Sequence, residues 1–119
     1  MIETEGLSGA DTLLRVLSHM GVDRIFASPG SEWSPVWEAF AKAKAQSEGV
    51  PLYISSRHEE IAVGMASGYA KSTGKLPAVI IHTTVGALHA TMALRSTSKC
   101  LWWCLPANRS VSAKKRGRM

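Results

Sequence analysis

Three short apolar runs, Arg24–Ser28, Leu52–Ser55 and Ala78–His82, read as strands, and a helical pattern follows each of them. Strands that alternate with helices require crossover connections. Crossovers make neighbouring strands parallel and wind in the right-handed sense. The expected fold class is therefore α/β: a three-layer α/β/α arrangement with an open, mostly parallel sheet and helices on both faces. The third run is continuously apolar through Ile81, as a strand covered on both sides should be.

The helical stretches carry their own signals. Ser8 and Asp11 offer N-caps, and Leu13, Val16, Leu17 and Met20 recur at helical spacing until Gly21 ends the run. A second helix is expected from about Ser34 to Ala43, with Pro35 suited to its first turn. A third spans about His58 to Ser72 and is closed by Gly74; Ala62, Met65, Ala66, Tyr69 and Ala70 share one face of it. A fourth is expected from Gly86 to Leu94.

In open parallel sheets the ligand crevice lies at the carboxyl ends of the strands. Three loops qualify: Ser28-Pro29-Gly30-Ser31, Ser56-Arg57-His58-Glu59 and Thr83-Thr84-Val85-Gly86. Each also has a plainer reading. Glu59 and Glu60 could be first-turn acids favoured by the helix macrodipole, worth a few tenths to about 1 kcal/mol. His58 could cap or pack, Pro29-Gly30 could be punctuation, and Thr83–Gly86 could be a turn with a threonine cap. Trp33 and Trp37 read as core or interface. No glycine fingerprint for a dinucleotide follows any strand, no P-loop is present, and no Ser/His/Asp set stands at recognisable spacing.

The net charge of +5 is unevenly placed. Through Arg95 there are eight Lys/Arg against nine Asp/Glu; Lys99, Arg109, Lys114, Lys115, Arg116 and Arg118 then follow with no acid among them. A balanced segment, 1–95, thus precedes a basic tail, 96–119, of a kind that can bind nucleic acid or anionic lipid. Cys100 and Cys104 are too few for a disulfide framework and lack the second pair of a zinc site, which leaves two free thiols in a reducing cytoplasm. No apolar run is long enough to span a bilayer, and the acidic N-terminus is no secretory signal.

Taken in order, the pieces resemble a known family. The opening helix to Gly21-Val22, Ile25-Phe26 followed by Pro29-Gly30, and Arg57-His58-Glu59 come first; Ala62, Met65-Ala66, Gly68-Tyr69-Ala70 and Thr73-Gly74-Lys75 complete the series. From Gly9 to Arg95 the chain resembles the N-terminal, pyrimidine-binding domain of thiamine diphosphate-dependent enzymes of the acetolactate synthase and benzoylformate decarboxylase type. The resemblance implies thiamine diphosphate as cofactor and a 2-keto acid as substrate. It makes Glu59 the catalytic residue and puts Pro29, Gly30, Glu59, Thr84 and Gly86 at the cofactor.

The reason for a glutamate at that place is chemical. The cofactor must lose a proton from its thiazolium carbon, and the base is its own aminopyrimidine in the imino form. A carboxyl group hydrogen-bonded to the far pyrimidine nitrogen favours that tautomer, provided it exchanges a proton readily. Two departures put the substrate in doubt: Ser31-Glu32-Trp33 stands where a second glycine and small residues are usual, and His82–Gly86 stands where a Gly-Pro-Gly is frequent.

The resemblance also implies a longer enzyme, in which the diphosphate and Mg2+ are held by a separate C-terminal domain bearing a Gly-Asp-Gly motif. Its site lies between subunits, so the partners expected are a second copy or a complementary C-terminal domain. The likeness stops after Arg95. Trp102-Trp103 must be encoded TGGTGG, which read one nucleotide earlier gives Val-Val when cysteine follows. Permitted codons for Ser96 to Arg109 then spell HEQVPMVVFAGES, a surface turn and a buried strand. A frameshift is therefore expected to have removed the fourth central strand and left the sheet incomplete at the C-terminus, a gap that Leu101-Trp102-Trp103 is apolar and long enough to fill. Two rivals stand beside this reading. One is a non-catalytic α/β module with a nucleic-acid-binding tail; Lys114-Lys115-Arg116 favours it, although no aromatic residue is interleaved. The other is a free-standing subunit that pairs with a separately encoded C-terminal half.

Overall fold

A computed structural model describes residues 6–97 and the backbone of residues 103–106. The acidic N-terminal residues, Cys100, Leu101, Trp102 and the tail basics Lys99, Arg109, Lys114, Lys115, Arg116 and Arg118 lie outside the described residues. The elements run α1 (Gly9–His19), β1 (Arg24–Ser28), a 3₁₀ turn (Ser31–Trp33), α2 (Ser34–Ala45), β2 (Leu52–Ser55), α3 (Glu59–Thr73), β3 (Ala78–Ile81), α4 (Thr83–Ser96) and β4 (Trp103–Pro106).

All strand pairings are parallel, in the order β2-β1-β3-β4. Alternation along the two central strands sorts their side chains between two cores. Ile25 and Ala27 of β1, with Ala78 and Ile80 of β3, pack against Leu14 and Leu17 of α1 and Val36 and Ala39 of α2. Phe26, Val79 and Ile81 face the other way, onto Ala62, Val63 and Ala66 of α3 and Ala90 of α4. Both faces of the sheet are covered, which is why β3 is buried at every position. The three-layer α/β/α expectation holds.

The topology also fixes where a crevice can form. From β1 the chain crosses through α2 to β2 on one side, and from β3 it crosses through α4 to β4 on the other. The loops leaving β1 and β3 therefore diverge, and adjacent strands with diverging loops make a switch point at their carboxyl ends.

Two sequence expectations differ from the structure. The helix expected from Gly86 begins at Thr83, so the segment read as a turn is the first turn of α4. Its N-cap is His82, with no side-chain cap, in place of a threonine. The fourth sheet position, which the apolar stretch around Trp102-Trp103 was expected to be able to fill, is held by Trp103–Pro106, in register from Ala78↔Trp103 to Ile81↔Pro106. A bare β3 edge would present unpaired backbone groups, and any extended segment within reach can satisfy them.

Helix termini follow the sequence signals closely. Ser8 caps α1 and accepts from the Asp11 backbone N–H, while the Asp11 carboxylate accepts in return from Ser8. Gly74 closes α3 in the left-handed conformation, φ 69°, where an L side chain would be strained. At the amino edge of the sheet Asp23 accepts from the Tyr69 hydroxyl at 2.7 Å and from Lys75 Nζ at 2.8 Å. This ties the C-terminal end of α3 to the start of β1 and so holds its N-terminal end at the opposite, carboxyl edge.

Candidate cofactor site

Glu59 is the first residue of α3, and the loop before it is anchored to the neighbouring strand. The Ser56 backbone N–H donates to the Ala27 carbonyl at 2.7 Å, and Ser56 Oγ donates to the His58 carbonyl at 3.0 Å. Those bonds register the start of α3 against the carboxyl end of β1. The Glu59 side chain is 12% exposed, whereas Arg57, His58 and Glu60 are exposed at the surface. Of the two acids in this first turn, only Glu59 is turned inward.

Gly86 is buried in the first turn of α4 and lies against Glu59. A Cβ there would come within 2.8 Å of Glu59 Oε1 and 2.9 Å of its Cγ, closer than side-chain atoms tolerate. The other carboxylate oxygen, Oε2, is 3.6 Å from His89 Nδ1, three residues further along α4. Two of the residues expected at the cofactor, Glu59 and Gly86, are thus in contact.

Gly30 marks the switch point itself. A Cβ at Gly30 would collide with both Glu32 and His82, which form an ion pair across the carboxyl ends of β1 and β3. Burial works against the charge on Glu32, but the hydrogen bond from His82, with the backbone N–H groups of Glu32 and Gly30, outweighs it and holds this carboxyl below its usual range. The next residue, Thr83, has φ 37°, a left-handed conformation that costs a non-glycine residue on the order of 1–3 kcal/mol. Strain of that kind is stored where β3 must turn at once into α4. Pro29 is half-buried beside Gly30, and Thr84 is exposed on the first turn of α4.

Sequence reasoning passed over His89 and the Glu32–His82 pair. His89 follows Gly86 by three residues, so the two share a helix face, and that spacing was the available signal. Glu32 and His82 are fifty residues apart, and only the pairing of β1 with β3 joins them. Trp33 is buried in the core, and Trp37 donates its indole N–H to the Tyr53 hydroxyl at 3.3 Å. A groove of ≈ 550 Å³ between α2 and β2, lined by Trp37, Phe40 and Tyr53, lies along the outer edge strand, away from the switch point. The edge at the switch point is instead an open wall, with His82 and His89 side chains 45% and 61% exposed.

An inward-turned acid at a helix N-terminus, pressed against a glycine, stands here at the carboxyl edge of a parallel sheet, the edge at which open α/β domains bind their ligands. Residues 7–100 match the family described as thiamine pyrophosphate enzyme, N-terminal TPP binding domain, and the chain belongs to that family. It is 37% identical over 86 residues to the acetolactate synthase large subunit of Buchnera aphidicola subsp. Schizaphis graminum, covering 72% of this chain and 14% of that protein. It is 36% identical over 87 residues to the acetolactate synthase large subunit of Lactococcus lactis, covering 73% and 14%. The chain therefore spans 14% of the length of these relatives. Its fold matches an X-ray structure from Mycobacterium smegmatis assigned as a thiamin diphosphate-dependent enzyme, with a TM-score of 0.68 and 24% identity over 88% of this chain and 20% of that one. Among the described residues no helix is long and apolar enough to cross a membrane, and no group of three or more His, Cys, Asp or Glu could hold a metal ion.

Proposed function

We propose that this chain supplies the pyrimidine-binding half of a thiamine diphosphate site in an acetolactate synthase-like enzyme acting on 2-keto acids, with Glu59 as its catalytic residue. One observation carries the reading. Glu59 presents a carboxylate that is nearly buried, carried at a helix N-terminus and left in place only because Gly86 has no side chain. That geometry suits a planar heterocycle with a ring nitrogen to hydrogen-bond. Gly30 and Pro29 form the neighbouring wall, and Thr84 and Gly86 the start of α4. When bound, the cofactor supplies a carbanion-stabilising thiazolium and an internal aminopyrimidine base.

Within this chain Glu59 holds or gives up a proton at the pyrimidine nitrogen. Partial exclusion of water strengthens that hydrogen bond. The diphosphate and Mg2+ belong, on this reading, to a partner: a second copy or a complementary C-terminal domain. The outer face of α4 supports such an assembly, since Val85, Leu88 and Met92 are 59%, 69% and 76% exposed and recur at helical spacing. Residues 1–95 would form the partial cofactor-binding domain and 96–119 a tail outside the family pattern, in a cytoplasmic protein. Neither the described residues nor the relatives support the rival of a nucleic-acid-binding tail.

The test is a titration of the isotopically labelled 119-residue chain with thiamine and with thiamine diphosphate, followed by NMR. If this chain holds the pyrimidine, both ligands perturb Glu59, Gly86 and Gly30, and Glu59→Gln alters the response while keeping the fold. Perturbation confined to the groove between α2 and β2, or none at Glu59, would refute the proposal.

A further inference from the structure

Glu59 is held from two sides by one helix. Gly86 lets α4 approach Oε1, and one turn later His89 stands 3.6 Å from Oε2. That separation exceeds a good hydrogen bond but lies within ion-pair range. The other ionisable groups at this edge are accounted for. Arg57, His58 and Glu60 are exposed on the segment that carries Glu59, and Glu32 and His82 pair with each other. Among the described residues, His89 is the basic side chain within ion-pair range of Glu59. The β1 and β3 residues beneath α3, Phe26, Val79 and Ile81, are apolar and add no charge.

We propose that His89 is a positioning residue for Glu59, its imidazole governing how the carboxylate is turned and which oxygen is free when a pyrimidine nitrogen arrives. An imidazolium stabilises a carboxylate beside it, and a neutral imidazole does so far less. A charged imidazole draws Oε2 toward α4, and a neutral one leaves it free to turn toward the pyrimidine. The imidazole is 61% exposed, so it can leave Oε2 without opening the core. This inference rests on the reading of Glu59 as the pyrimidine-facing acid.

The test uses the labelled 119-residue chain without ligand, following the Glu59 carboxyl carbon and the His89 ring by NMR across the pH range in which imidazoles titrate. The expected result is a step in the Glu59 resonance coincident with His89 titration, lost in both His89→Leu and His89→Gln. A packing contact alone would lower the melting temperature on substitution without producing that step. No step in the wild type, or a step that persists in the variants, overturns the proposal. Should the leucine variant misfold, the glutamine variant decides. Because no ligand is present, failure here is distinct from failure of thiamine to perturb Glu59.

Discussion

Gly86→Ala separates the fold from the function more sharply than any other single change. The new Cβ would sit 2.8 Å from Glu59 Oε1, 2.9 Å from Cγ and 3.1 Å from Cδ, whereas ordinary contact begins near 3.4 Å. The carboxylate must therefore retreat by roughly half an ångström. Every atom in the way belongs to the flexible end of one side chain, so the retreat is a rotamer adjustment costing about 0.5–1.5 kcal/mol. Against it, alanine in place of glycine within a helix gains about 0.5–1 kcal/mol. The sum lies within about 1 kcal/mol of zero, and urea unfolding followed by circular dichroism should show a nearly unchanged midpoint. The site should fare differently. A hydrogen bond to a charged group contributes about 1.5–3 kcal/mol, so a retreat that forfeits about half of it should weaken the Glu59-dependent thiamine response by roughly three- to tenfold. The assay is the same thiamine titration followed by NMR, with the Glu59 carboxyl carbon as reporter. Destabilisation beyond about 3 kcal/mol would mean that Gly86 packs against something immovable. An unmoved Glu59 resonance with an undiminished thiamine response would show that the contact does not shape the site; either outcome refutes the reasoning.

Three further expectations concern the rest of the chain. Asp23 is held below the usual carboxylate range, first by its hydrogen bond from Lys75 and then by that from Tyr69, with burial opposing both. Its contribution is therefore full above the unfolded carboxyl value near ~3.9 and fades as pH falls through the lower folded value. With the site partly exposed, Asp23→Ala should cost about 1 kcal/mol at neutral pH, a difference from wild type that chemical denaturation should find vanishing in strong acid. The purified 119-residue chain with thiamine diphosphate and Mg2+ should not turn over a 2-keto acid, and measurable turnover would show that it needs no partner. The coding DNA, read one nucleotide earlier beyond codon 95, should continue as an open α/β sequence; a stop codon or a composition unlike a buried strand would remove the frameshift.

What could be read from the residues alone was whatever the backbone decides locally. β1 and β2 begin and end where their apolar runs do, and Gly74 and Ser8 terminate helices by the conformations and caps their side chains allow. The start of α4 was not legible, because Thr83 adopts a left-handed φ of 37° that no threonine advertises. The geometry comes from the sheet, which forces the chain to turn within a residue of Ile81. β4 was legible only as a gap that a nearby apolar segment could fill, because pairing with β3 asks for backbone hydrogen bonds, which the apolar pattern of a family strand does not monopolise. The same division runs through the site. Glu59 and Gly86 could be named as candidates only through the family their motifs resemble, since locally each has a plainer reading; the structure puts the two in contact. The pairs Glu32–His82 and Glu59–His89 could not, since each needs two elements brought together by strand order or helix packing. The site is therefore a product of the switch point between β1 and β3: proximity there turns an ordinary first-turn acid into one with a glycine wall on one side and an imidazole on the other.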